Sequence, residues 1–126
     1  NPENLLIFAA GNDGDHWSTC TMGSPALAKN VLAVGASTAG PGRVTFTAED
    51  GDETNGDDRA QDIDTMAFFS STGPTLDDRI KPDVVAPGDT VYSAAGGGTG
   101  NYTCRLLDNA GTSMATPLVA GAAALV

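Results

Sequence analysis

The amino-acid sequence predicts a layered α/β fold built around a mostly parallel sheet. Two short apolar segments, residues 4–10 and 31–35, are typical of strands that are buried on both faces of such a sheet. A third apolar segment, residues 118–126, follows a stretch of small residues and predicts a buried helix. With 126 residues, of which 40% are apolar, the chain has enough material for one core.

The remaining elements follow from turns and alternation along the chain. Residues 11–14, Gly-Asn-Asp-Gly, end the first strand sharply. Residues 43–47 alternate between apolar and polar and predict an edge strand. Residues 83–86 and 90–93 predict two further strands that flank a Pro-Gly-Asp turn. The glycine-rich residues 96–100 predict a loop, which lacks the lysine and the following helix of a phosphate-binding loop.

Composition excludes two classes of partner. The net charge is −10, from six basic and sixteen acidic residues, so neither nucleic acid nor an anionic membrane surface would be attracted. The longest apolar segment, residues 118–126, is too short to span a bilayer. We therefore expect no nucleic-acid partner and no membrane partner.

An acidic segment from about residue 48 to residue 65 stands apart from this pattern. Residues 49–64 hold eight of the sixteen acidic side chains and almost no apolar ones, which favours a solvated surface insertion. The alternative is a calcium-binding loop, because Asp50, Asp52 and Thr54 alternate. Against it, glycine falls one place late for an EF-hand, and Gln61 stands where the twelfth-position Glu is required. The surface insertion remains the favoured interpretation, and a structural calcium ion remains the alternative for this segment.

The two cysteines, Cys20 and Cys104, leave two interpretations open. They are either two unpaired thiols or one disulfide, and a disulfide would suit a secreted protein. The spacing does not decide between them.

The most informative segment is Gly-Thr-Ser-Met-Ala-Thr-Pro at residues 111–117, which places Ser113 on the first turn of a helix. The N–H groups of a first turn have no partner inside the helix and carry partial positive charge. A serine hydroxyl there can attack a carbonyl group, and its own N–H can bind the oxyanion that forms. Serine is also an ordinary helix N-cap, although Thr112 is the better cap candidate here.

A hydrolase with a nucleophile elbow is a competing explanation for the same serine. Such an elbow needs Gly-x-Ser-x-Gly directly after a strand. Here Ala115 stands at the last glycine position, and residues 108–110 have poor strand character. Both observations argue against an α/β-hydrolase esterase.

The segment around Ser113, together with the small apolar residues 119–125, resembles the nucleophile block of subtilisin-like serine peptidases. Three other blocks resemble that family in the same order, namely Ala-Ala-Gly-Asn at residues 9–12, Phe-Ser-Ser-Thr-Gly-Pro at 69–74 and Lys-Pro-Asp-Val-Val-Ala-Pro-Gly at 81–88. Four ordered blocks are a far more specific signal than a lone Gly-Thr-Ser. They cover nearly the whole chain, except the acidic segment and the region near Cys104.

The resemblance implies a three-layer subtilisin-like fold and a serine endopeptidase that works through an acyl-enzyme. Residues 1–126 would form part of its catalytic domain, with Ser113 as the nucleophile and Asn12 as the oxyanion-hole donor. Asn12 would follow a buried strand at the carboxyl edge of the sheet, where open α/β sheets bind ligands. In isolation an asparagine there would be an ordinary turn residue. The residues implied to contact the substrate side chain before the cleaved bond are Ala9, Ala10, Gly11 and Gly23.

The resemblance also implies what this chain lacks. The family supplies the catalytic base and its orienting carboxylate from segments that precede the Asn12 strand. The single histidine, His16, does not match the family's catalytic segment. We therefore expect an internal fragment, inactive by itself, of a secreted, monomeric enzyme that acts on polypeptides and requires no cofactor. The alternative is a catalytically dead relative that keeps the fold as a binding module.

Overall fold

The computed structural model of the chain describes residues 4–14, 19–38, 65–95 and 106–126. Within these ranges it contains five strands and one helix: β1 (Ile7–Ala9), β2 (Leu32–Ser37), β3 (Val84–Pro87), β4 (Val91–Ala94), β5 (Leu106–Asn109) and α1 (Thr112–Ala123). The predicted edge strand at 43–47, the acidic segment, His16 and Cys104 lie outside the described residues.

Three of the strands form the predicted parallel sheet, in the order β1-β2-β3. β1 pairs with β2 with Ile7 opposite Leu32, and β2 pairs with β3 with Val34 opposite Val84. β1 is shorter than predicted and β2 extends two residues further, to Ser37. Because the strands are parallel, their carboxyl ends lie together at one edge.

The central strand β2 buries side chains on both faces, which explains its continuous apolar sequence. On one face, Val34 and Ala36 pack with residues that include Ala115 of α1. On the other face, Ala33 packs with Ala10 and with the segment at residues 22–27, through Met22, Ala26 and Leu27. The sheet is therefore the middle layer, with α1 on one side and a loop segment on the other.

The structure corrects the predicted helix. α1 begins at Thr112 with Gly111 as its N-cap, and no side chain caps it, so Thr112 is not the cap. In this chain only Thr112 and Ala115 of the helix are buried, and Leu118 is 47% exposed. Within residues 1–126, α1 is therefore covered on the side that faces the sheet, through Ala115 and Val119.

A strand precedes the helix, although residues 108–110 have poor strand character in the sequence. β5 pairs antiparallel with β4, with Asp108 opposite Tyr92, and all four β5 residues are exposed. The helix with Ser113 thus follows a strand, but that strand belongs to a two-stranded antiparallel sheet rather than to the parallel sheet. The nucleophile-elbow explanation therefore fails for two reasons. The strand before the helix is not part of the parallel sheet, and Ala115 stands where the elbow requires glycine.

At the amino end of the parallel sheet, a partly buried ion pair joins β2 to the segment that enters β3. The Lys81 side chain is 4% exposed, and its ammonium lies 2.5 Å from Asp83 Oδ2. The same ammonium donates to the Val31 carbonyl at 3.0 Å, and the Ala33 N–H donates to Asp83 Oδ2 at 2.7 Å. The pair thus satisfies backbone groups at the start of β2 that the strand ladder leaves open.

Candidate functional site

Three segments meet at the carboxyl edge of the parallel sheet. The first is the turn after β1 with Gly11 and Asn12, the second is Gly88 after β3, and the third is the start of α1. Each contacts at least one other through the hydrogen bonds described below. The site is therefore built by residues that are about 100 positions apart in the sequence.

Gly88 fixes the position of the helix start. Its N–H donates to the Ser37 carbonyl at 3.0 Å, and its carbonyl accepts the Gly111 N–H at 2.7 Å. A Cβ atom on Gly88 would lie 2.6 Å from the Ala36 Cβ and 2.8 Å from the Gly111 oxygen. Only glycine allows this approach, so β2, β3 and α1 are held in one arrangement by the absence of a side chain.

Thr112 holds the Asn12 side chain. The Thr112 N–H and the Thr112 hydroxyl both donate to Asn12 Oδ1, each at 2.9 Å, and the Gly11 N–H donates to Thr112 Oγ1 at 3.3 Å. Since the amide oxygen accepts both bonds, the NH2 group of Asn12 is the end that is left to donate to another molecule. A first-turn N–H of the helix, which has no intrahelical partner, is satisfied in the same contact.

Ser113 is exposed at the second residue of α1, directly after the threonine that holds Asn12. The two predicted catalytic residues therefore lie at the same edge of the sheet, joined through Thr112. Met114 lies close by: a Cβ on Gly111 would be 3.4 Å from Asn12 Nδ2 and 3.7 Å from Met114 Sδ. The Asn12 carboxamide thus lies against the start of the helix that carries Ser113.

The four residues implied for substrate contact also cluster beside Asn12. Gly11 has a φ of 113°, and the Gly23 N–H donates to the Ala10 carbonyl at 3.2 Å. Gly23 is exposed, and apart from its chain neighbours no atom lies within 4 Å of where its Cβ would be. Ala9 is half-buried in β1, whereas the Ala10 side chain is fully buried in the core. Ala10 therefore offers only its backbone to a ligand.

Sequence reasoning missed the residues that hold Asn12 in place. Thr112 was expected to cap the helix, but its hydroxyl bonds to Asn12 instead. Ser71 was part of a recognised block without a role, and the structure places it against the Asn12 turn. The available signal was a small hydroxyl residue inside each turn block, because such a group needs a hydrogen-bond partner once the turn is buried.

The described residues contain no group of three or more His, Cys, Asp or Glu side chains that could hold a metal ion. Cys20 is a free, exposed thiol with a φ of 61°, and its predicted alternative partner, Cys104, lies outside those residues. In the part of the chain that is described, α1 is the one helix, and its twelve residues are too few for a membrane span.

Comparison with known proteins gives a consistent result. The profile of the subtilase family matches residues 2–126. The chain is 35% identical over 132 residues to the serine protease AprX of Bacillus subtilis (strain 168), covering 97% of this chain and 25% of that protein. It is 40% identical over 123 residues to a subtilisin of Bacillus pumilus, covering 97% of this chain and 32% of that protein.

Solved structures agree with these relatives. The S41 psychrophilic protease matches with a TM-score of 0.61 at 28% identity, and sphericase with a TM-score of 0.59 at 29% identity; each match covers 95% of this chain and 32% of the other. The fold is therefore subtilisin-like, as expected. The chain spans about a quarter to a third of the length of the two relatives named above. With a family profile that covers almost every residue and with relatives at 35–40% identity, the chain belongs to the subtilase family of serine peptidases.

Proposed function

We propose that the chain supplies the nucleophile and the oxyanion-hole side chain of a serine endopeptidase, with Ser113 as the nucleophile and Asn12 as the donor. The observation that carries this proposal is the pair of 2.9 Å hydrogen bonds from Thr112 to Asn12 Oδ1. They connect the residue before Ser113 to a side chain 100 positions earlier, and because they engage the amide oxygen, they leave the NH2 end of Asn12 to act as the donor.

In the proposed reaction, Ser113 Oγ attacks the carbonyl carbon of a peptide bond while a base takes the hydroxyl proton. The new O–C bond turns the carbonyl oxygen into an oxyanion, which accepts from the Ser113 N–H and from Asn12 Nδ2. The C–N bond then breaks, and the base returns its proton to the leaving amine. Water attacks the resulting ester and releases the acid, which restores the serine.

The base and its orienting carboxylate come, in this proposal, from the part of the relatives' length that this chain does not span. Residues 1–126 alone are therefore inactive. The enzyme acts on polypeptides as a secreted monomer and requires no cofactor. A calcium ion in the acidic segment would be structural, and that segment lies outside the described residues. A catalytically dead binding protein is the alternative that the experiment below decides.

The test is labelling of the full-length protein with a fluorophosphonate, followed by mass spectrometry of the modified peptide. We expect the adduct on Ser113 and none in Ser113→Ala. Ser93→Ala, which removes an exposed serine of β4, is the matched control and labels normally. An unlabelled wild-type protein would show that the fold is kept for binding rather than for catalysis.

Asn12 is tested by peptide hydrolysis in the same protein. Asn12→Ala lowers kcat by about 10²–10³, the size known for removal of this donor in a subtilisin, with little change in KM. Asn30→Ala, at an exposed position near the other end of the sheet, leaves kcat unchanged. Equal rates for the two variants would remove Asn12 from the proposed mechanism.

A further inference from the structure

Two neighbouring serines between the acidic segment and β3 are fully buried, and they face different parts of the molecule. Ser70 is 2% exposed, and its hydroxyl oxygen accepts the Ala36 N–H of β2 at 3.0 Å. Ser71 is 0% exposed, and its hydroxyl oxygen accepts the Asp13 N–H, also at 3.0 Å. Each hydroxyl accepts one backbone N–H, but only Ser71 bonds to the turn that carries Asn12.

Ser71 bonds to the backbone on both sides of Asn12. Its hydroxyl oxygen accepts from Asp13, the residue after Asn12, and its N–H donates to the carbonyl of Gly11, the residue before, at 2.9 Å. The contact is close, because a Cβ on Gly11 would lie 2.8 Å from Ser71 Oγ. Gly11 also has a φ of 113°, which favours glycine.

Asn12 itself is exposed, so little packing fixes its backbone. Thr112 holds the amide oxygen of the side chain, and Ser71 holds the peptide groups on either side of the Cα atom. An oxyanion-hole donor works only if it is already in position when the charge develops, and small displacements are costly. A residue that fixes the backbone beneath the donor therefore affects the transition state.

We propose that Ser71 is a positioning residue for the oxyanion-hole donor, acting through the backbone of the turn that carries Asn12. This inference rests on the proposed function, in which Asn12 Nδ2 donates to the oxyanion. Ser71 does not touch the substrate. Its hydroxyl keeps the Asp13 N–H bonded and thereby keeps the turn in one conformation.

The experiment measures kcat, KM and thermal unfolding for Ser71→Ala and Ser70→Ala in the full-length protein, with active sites counted by fluorophosphonate. Both variants remove one buried acceptor, so both lower the unfolding temperature. We expect Ser71→Ala to lower kcat per active site by about 10-fold with KM little changed, less than loss of the donor itself. Ser70→Ala leaves kcat per active site unchanged.

A double-mutant cycle with Asn12→Ala gives a readout that a merely structural role would not move. In the Asn12→Ala background the effect of Ser71→Ala on kcat falls from about 10-fold to about 1-fold, because no donor remains to be positioned. Should Ser71→Ala not accumulate, Ser71→Cys takes its place with the same expected loss, since it keeps a side chain of similar shape but accepts hydrogen bonds weakly.

The outcomes separate the two proposals. If the wild-type protein neither labels nor cleaves peptide, the proposed function fails. If the wild type cleaves, Asn12→Ala is slow, and Ser71→Ala nevertheless matches Ser70→Ala in kcat, the positioning role of Ser71 fails by itself. An undiminished 10-fold effect in the Asn12→Ala background would likewise overturn it.

Discussion

At the carboxyl end of β2 the Ser37 carbonyl accepts a backbone N–H from Gly88, whereas at its amino end the Val31 carbonyl accepts the Lys81 ammonium. The carboxyl end is joined by neutral hydrogen bonds around glycines that allow the backbones to approach closely. The amino end is joined by a partly buried ion pair. In the described structure, the proposed catalytic groups lie at the end where closely packed backbones hold the segments together, and the ion pair lies at the opposite end.

Because of this difference, substitutions at the two ends should have different effects on stability and on catalysis. Changes at the amino end should alter the free energy of unfolding and its dependence on pH while leaving catalysis in the folded protein intact. Changes of side-chain volume at the carboxyl end should alter both the free energy of unfolding and kcat, because Gly88 bonds directly to Gly111, the N-cap of α1. Variants of the full-length protein can test whether the two ends differ in this way.

The largest expected effect on stability is at Lys81. Lys81→Met leaves the Asp83 carboxylate without its partner and costs about 3 kcal/mol, at the low end for buried pairs because the Asp83 side chain is one-third exposed. The measurement is urea denaturation, with kcat determined on the folded enzyme and expected to be unchanged. Lys29→Met is the matched control: its pair with Asp77 is exposed, at 3.6 Å, and its loss costs about 1 kcal/mol or less.

The second effect is at Gly88. Gly88→Ala places a methyl group against Ala36 and the Gly111 carbonyl and costs about 1–3 kcal/mol of stability through overpacking. Unlike Lys81→Met, it also lowers kcat, because the start of α1 must shift. A Gly88→Ala enzyme with normal kcat would contradict the separation of the two ends.

The sequence predicted the carboxyl end well and the amino end poorly. The parallel strands and the meeting of Asn12 with the Ser113 segment followed from continuous apolar runs, from the turns that end them and from the family resemblance. The Lys81–Asp83 pair did not, because two charges two residues apart usually lie on a solvated surface. The structure instead buries the Lys81 side chain, whose ammonium also donates to the Val31 carbonyl.

The structures of β5 and α1 differ from expectation for one physical reason, which is that both depend on the elements packed beside them. β5 has no apolar alternation that distinguishes a buried face, and it forms because β4 lies beside it as an antiparallel partner. The helix was expected to be buried because its sequence is apolar, yet within this chain most of its outer surface has no covering element. The sequence of a segment shows which secondary structures it can form, whereas the elements that pack against it determine which one forms and how much of it is buried.

Acid sensitivity should arise at the amino end. Burial of Asp83 opposes its ionisation, but the hydrogen bonds from the Ala33 N–H and from Lys81 outweigh burial and lower the pKa of the carboxyl below its ordinary value. Because the folded-state pKa is the lower one, this contribution to stability is complete above the unfolded-state pKa of about 4 and is lost as the pH falls.

The test is the unfolding free energy between about pH 6 and pH 3 for the wild type and Asp83→Asn. The variant is less stable at pH 6, and its stability falls less steeply toward pH 3. Some slope remains, because hydrogen bonds from Arg79 and Thr75 hold the pKa of Asp77 well below its usual range. Parallel curves for wild type and variant would show that the ion pair is not the source of the acid sensitivity.

The smallest changes in stability should come from relief of backbone strain, which can be compared at the two ends. Thr90, just after the Gly88 turn, has a φ of 57°, and Asp78, in the turn before Lys81, has a φ of 60°. Left-handed backbone is costly for a β-branched residue, whereas aspartate tolerates it. Thr90→Gly should therefore raise stability by about 1 kcal/mol and Asp78→Gly by about 0.5 kcal/mol or less, after the extra entropy of glycine in the unfolded chain is subtracted.

Thermal unfolding of both variants, with Thr90→Ala as a control, measures this difference. The control keeps the Cβ atom and should gain little, which shows that relief of strain rather than loss of the hydroxyl is responsible. If Asp78→Gly gained as much as Thr90→Gly, strain would not be concentrated near the proposed site. A larger gain at Thr90, accompanied by a lower kcat, would instead indicate that the strained turn helps to hold Gly88 against the start of α1.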